Sequence, residues 1–180
     1  VAAALTRAGI ATLLFDLLTP DEETDRHNVF DIALLAERLL AATRWLREQP
    51  DTHAPALGYF GASTGAAAAL VAAADAGPLV SAIVSRGGRP DLAGARLADV
   101  TAPTLLIVGG DDRQVLQLNS EARRQLRCPN DLAIVPGATH LFEEPGTLDA
   151  VGRLAGDWFT RHFAGAAPPV AGAVTDPRPA

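Results

Sequence analysis

Short uncharged apolar runs alternate along this chain with longer segments whose apolar residues recur every three or four positions. The runs at residues 10–15, 56–60, 79–84, 104–108 and 132–135 read as strands; an apolar run without polar alternation fits a strand covered on both faces. Residues 29–49 carry Phe30, Ala33, Leu34, Ala36, Leu39, Leu40 and Trp45 at helical spacing, and Pro50 ends the pattern. Further helices are expected over residues 2–5 with Gly9 as the stop, after residue 64 until Gly77-Pro78, over 114–126 and over 147–162. The polar stretch 19–28 has no period and several breakers and reads as a loop; residues 91–99 read as helix or loop. Strands alternating with helices predict βαβ crossovers. The expected fold is therefore α/β, with a mostly parallel sheet and helices on both faces, and ligands at the carboxyl ends of the strands.

Length and composition narrow this picture. The 180 residues are 48% hydrophobic and 20% charged, enough for one domain with a real core. Residues 1–163 form that core by this reading, and residues 164–180, rich in alanine, proline and glycine, read as a disordered tail. A net charge of -6 argues against nucleic-acid or anionic-membrane partners, which need a positive field. The single cysteine, Cys128, excludes an internally disulfide-stapled secreted scaffold and points to the cytoplasm. The alanine-rich run 65–74 is about half of what a membrane span needs. The chain has no methionine and starts inside a helix-like pattern, which predicts a piece of a longer protein.

Gly61-Ala62-Ser63-Thr64-Gly65 sits between an expected strand and an expected helix. A serine there occupies a nucleophile elbow, a strand-to-helix turn so tight that neighbouring side chains would clash. The turn lifts the hydroxyl above the sheet and sets the Thr64 N–H, at the positive end of the helix, to face a developing oxyanion. Such a serine needs a base, and the base needs an acid. Gly109-Gly110-Asp111-Asp112 follows one strand and Pro136-Gly137-Ala138-Thr139-His140 the next, both on the same sheet edge as Ser63. The expected set is Ser63, His140 and Asp112, with Asp111 left to face solvent or cap the helix. Arg86 and Arg89, after the third strand, are candidates to hold a substrate carboxylate or phosphate; an arginine tying the loop to backbone carbonyls or to nearby aspartates such as Asp91 is the competing structural role. His27, His53 and His162 are expected at the surface, and nothing has metal-ligand spacing. No cofactor is expected.

With these motifs, and with residues 13–19 and 85–92, the chain resembles the α/β-hydrolase superfamily, most of all its dienelactone-hydrolase-related branch. The resemblance implies a hydrolase of carboxylic esters or thioesters acting on a small molecule through an acyl-enzyme. It departs from dienelactone hydrolases proper in having serine rather than cysteine as the nucleophile. It also implies earlier strands and a second oxyanion donor upstream of Val1, and sometimes fusion to a phosphoribosyltransferase domain. A non-catalytic interaction module, and an acyltransferase or perhydrolase using the same residues, are the rival expectations.

Overall fold

The computed structural model describes residues 1–164, so the expected tail lies outside the described residues. Helix α1 (Ala2–Arg7) is followed by an extended stretch, the short helices α2 (Pro20–Glu23) and α3 (Arg26–Phe30), and the long α4 (Ile32–Glu48). Then β1 (Gly58–Ala62), α5 (Thr64–Ala76), β2 (Ala82–Arg86), a 3-10 stretch (Pro90–Asp99), β3 (Thr104–Gly109), α6 (Arg113–Gln125), β4 (Asn130–Val135) and α7 (Thr147–Phe163) complete the order. The strands form a four-stranded sheet in the order β1-β2-β3-β4. All three ladders are parallel, with Phe60 opposite Val84, Val84 opposite Leu105 and Leu106 opposite Leu132.

A buried parallel strand has to bury both sets of alternating side chains. Tyr59, Ile83 and Leu106 point to one face, where α5 packs on β1 and β2, α4 backs α5, and α6 packs on β3 and β4. Val84, Leu105, Ile107 and Val135 point to the other, against α7 and α1. A smaller cluster of Leu18, Leu35 and Ala68 ties the segment after α1 to α4 and α5. The α/β architecture with helices on both faces is thus as the sequence predicts.

The expected strand at 10–15 is absent. Residues 11–15 are exposed, Leu14 by 70%, and make no ladder with β1. An apolar run becomes a strand only when a neighbour satisfies its backbone groups, and none of the described strands does so here. The expected loop 19–28 is instead two short helices, because Thr19 and Glu22 form a reciprocal capping box with Pro20 at the first helical position. Asp25 caps α3, and Asp31 caps α4 by accepting from Leu34 N–H at 3.0 Å, so the long helix starts at Ile32 rather than Val29.

Candidate active site

Strand β1 delivers Ser63 to the turn before α5, where its backbone takes φ 50° and ψ -123°. That left-handed φ is strained for any residue with a side chain and persists only where surroundings enforce it. Gly61 is one such constraint: a Cβ there would lie 2.6 Å from Ala66 Cα and 2.7 Å from its nitrogen. Gly65 differs from expectation, since a Cβ at that position would meet open space. The Ser63 carbonyl accepts from Arg89 N–H at 3.0 Å and from Ala66 N–H at 3.2 Å, and its side chain makes no capping bond. Thr64 is the first residue of α5, so its N–H belongs to the helix turn that lacks intrahelical acceptors.

The end of β3 and the loop after β4 are pressed together. A Cβ on Gly109 would collide with the carbonyl oxygens of Ala138 and Thr139, so only glycine allows the approach. Asp112, as the N-cap of α6, divides its carboxylate between two partners. Its Oδ1 accepts from Val115 N–H at 3.3 Å, and its Oδ2 lies 2.7 Å from His140 Nδ1. The carboxylate is 14% exposed and the imidazole 40%, so the acid is shielded while the ring opens to solvent. Asp111 is exposed, and only its backbone N–H is engaged, with the Ala138 carbonyl.

The histidine loop is held by residues that carry no catalytic motif. Glu144 accepts from Thr139 Oγ1 at 2.6 Å and from Thr139 N–H, and the Thr139 hydroxyl pulls its carboxyl below the ordinary range. Phe142, at φ 58°, is buried in the α7-side core, and Thr147 Oγ1 donates to its carbonyl at 2.8 Å. Neither Glu144 nor Phe142 stood out in the sequence, because each acts through a turn conformation that no motif encodes.

The two candidate arginines part company. Arg89 forks onto the Asp91 carboxylate, at 2.9 Å from Nε and 2.8 Å from Nη2. The Arg86 guanidinium lies 5.5 Å from the centre of the Phe142 ring and donates to the Leu141 carbonyl at 3.3 Å; among the described residues no carboxylate pairs with it. Partial burial lowers its proton affinity. His27 and His53 are exposed, as expected for surface residues. His162 is not: its ring lies tilted against Trp158 with centroids 4.4 Å apart, its buried Nε2 has no partner among the described residues, and burial lowers its pKa. Ser63 and His140 flank the same segment, Gly87 to Arg89. Among the described residues no hydrogen bond joins the Ser63 hydroxyl to the imidazole.

The dienelactone hydrolase family profile matches residues 7–160. The chain belongs to the dienelactone hydrolase family. This dienelactone hydrolase family member is 57% identical to a solved dienelactone hydrolase from Anabaena variabilis, with a TM-score of 0.87 over 90% of this chain and 77% of that one. It is 64% identical over 168 residues to a putative phosphoribosyl transferase of Mycobacterium tuberculosis, covering 93% of this chain and 38% of that protein. The chain thus spans less than two-fifths of that relative's length. It is also 30% identical, over 80% of its length and 66% of the relative's, to a probable 2-oxo-3-(5-oxofuran-2-ylidene)propanoate lactonase of Bradyrhizobium. Family membership and the α/β-hydrolase fold are therefore shown.

Proposed function

We propose that this hydrolase is a serine hydrolase cleaving a carboxylic ester or thioester through an acyl-enzyme. The observation that carries the reading is the 2.7 Å bond between Asp112 and His140 Nδ1, on the sheet edge where Ser63 sits at a positive φ. Held at Nδ1, the imidazole keeps Nε2 as the base, which takes the Ser63 proton as the hydroxyl oxygen attacks the ester carbonyl. The Asp112 carboxylate stabilises the imidazolium, and Thr64 N–H stabilises the oxyanion. The imidazolium then protonates the leaving alcohol or thiol, and the same imidazole activates water to release the acid. Bonds of this kind tighten when substrate seats, so an unformed serine–histidine bond is compatible with the role. The lactonase and dienelactone hydrolase relatives are named for lactones, which are cyclic esters, and that supports an ester substrate.

Arg86 is the better of the two arginines for a substrate anion, because the Arg89 charge is neutralised by Asp91. We place the reaction in the cytoplasm, on the strength of the single buried Cys128. The small share of the phosphoribosyl transferase relative that the chain spans favours a second reading, a non-catalytic hydrolase-fold interaction or fusion module. One experiment separates the two. A fluorophosphonate probe is expected to label wild-type protein at Ser63 and to leave Ser63→Ala unlabelled; equal labelling of both, or none of either, rules the serine hydrolase out and favours the module.

A further inference from the structure

The segment Gly87-Gly88-Arg89 lies between Ser63 and His140. A Cβ on Gly87 would lie 3.1 Å from the His140 carbonyl oxygen and 3.7 Å from His140 Nδ1, so this backbone is the floor beneath the imidazole. Gly88 has no space for a side chain, since a Cβ would collide with Ser85 Oγ and approach Ala66 Cβ to 2.6 Å. The peptide unit joining Gly88 to Arg89 is bonded at both ends. Its carbonyl accepts from Asn119 Nδ2 at 2.9 Å, and its N–H donates to the Ser63 carbonyl at 3.0 Å.

Asn119 lies on α6, wholly buried. Its Nδ2 also donates to Val115 O at 2.8 Å, while its Oδ1 has no partner among the described residues. An unpaired buried acceptor is destabilising, and asparagine is a poor helix former beside leucine. Fold stability alone would favour an apolar residue of the same volume. What the asparagine supplies is a donor aimed at one carbonyl. Helix α6 therefore reaches the site twice: Asp112 at its N-cap bonds the His140 ring, and Asn119 bonds the peptide that holds Ser63. Hydrogen bonds in series in a low-dielectric interior polarise one another.

We infer that Asn119 is a positioning residue for the nucleophile: its amide fixes the Gly88–Arg89 peptide, whose N–H holds Ser63 in its positive-φ conformation. This rests on the reading of Ser63 as the nucleophile. The test uses the full chain in four forms: wild type, Asn119→Leu, the isosteric Asn119→Asp, and Ser120→Ala, a control whose hydroxyl bonds only the Leu116 carbonyl. Two readouts are taken: amide exchange at Arg89 by NMR, and fluorophosphonate labelling with ester kinetics.

Asn119→Leu is expected to fold, to exchange the Arg89 amide at least about tenfold faster, and to lose about 10- to 100-fold in labelling rate and kcat. KM should stay within about twofold, a split that general loosening of the fold does not produce. Asn119→Asp, which turns an acceptor toward the Gly88 carbonyl, should lose more; it carries the test if the leucine variant fails to fold. Ser120→Ala should match wild type. Unchanged labelling and unchanged Arg89 exchange in a folded Asn119 variant overturn the proposal. Should wild type itself not react with the probe, the hydrolase reading fails and the positioning of a nucleophile is overturned with it; a wild type that reacts, beside folded variants that react equally fast, overturns the positioning role alone.

Discussion

Asp111 and Asp112 are adjacent and chemically alike, yet they occupy different environments. Asp112 is shielded, caps α6 with one oxygen and meets the imidazole with the other, whereas Asp111 is exposed. Asn is as good an N-cap as Asp, so Asp112→Asn preserves the helix start and isolates the electrostatic and tautomeric role. We expect it to lower kcat about 10⁴-fold with an unchanged melting curve. Asp111→Asn should stay within about twofold, and the opposite ranking in ester turnover would exchange the two assignments. The motif residues were legible in the sequence because glycines and chain order announce strand ends. Asn119, Glu144 and Phe142 were not, since their contribution is a bond to a peptide or a turn conformation that no motif encodes. Gly65 shows the converse: a motif glycine that the surroundings of this chain do not require.

At the scale of elements, the segment between α1 and α4 departs most from expectation. Hydrophobicity alone suggested a strand and a loop; the strand lacks a pairing neighbour, and the capping box at Thr19 and the cap at Asp31 turn the loop into helices and set the start of α4, both caps being visible in the sequence once the side-chain spacing is read. What the spacing does not reveal is how α2 is moored. Arg38 on α4 donates to the Glu22 carboxylate at 2.6 Å and to the Leu17 carbonyl at 2.8 Å, holding α2 beside Leu18, which is buried against Leu35 and Ala68. The Arg38 hydrogen bond first, and the Thr19 backbone N–H after it, lower the Glu22 carboxyl from 4.5 to about 2. A carboxyl whose pKa falls on folding stabilises the native state above its unfolded value, and that contribution is lost as pH drops through the folded value. The stability gap between wild type and Glu22→Gln, measured as urea midpoints, should therefore close between the ordinary value of 4.5 and about 2. The pair is at the surface, so added salt should narrow the gap at neutral pH as well. A gap that is constant across this range would show that the pair does not moor α2.

For the whole molecule, the sheet separates two hydrophobic layers that share only the strands. The parallel sheet followed from the alternation of strands and helices, and so did the placing of the candidate residues at the carboxyl edge. The depth of each layer did not, because it depends on which helix lies over which strand. Leu70 on α5 is wholly buried in one layer, and Phe159 on α7 is 3% exposed in the other, close enough to β1 that a side chain on Gly58 would clash with its ring. Truncation in a packed core removes transfer energy and leaves a cavity, so Leu70→Ala should cost about 2–5 kcal/mol and Phe159→Ala about 3–5 kcal/mol. If the strands are stiff, neither cavity is felt on the far side, and the double variant should lose the sum of the two within about 0.5 kcal/mol. Because domains of this kind hold only about 5–15 kcal/mol in all, the double variant should lie near its unfolding threshold and still melt in one transition. A loss well short of the sum in urea unfolding would mean that the layers relax together through the sheet. The strained turn at Ser63, which sits between them, would then be compliant rather than rigidly held, and the Asn119 variants should show a correspondingly smaller loss of turnover.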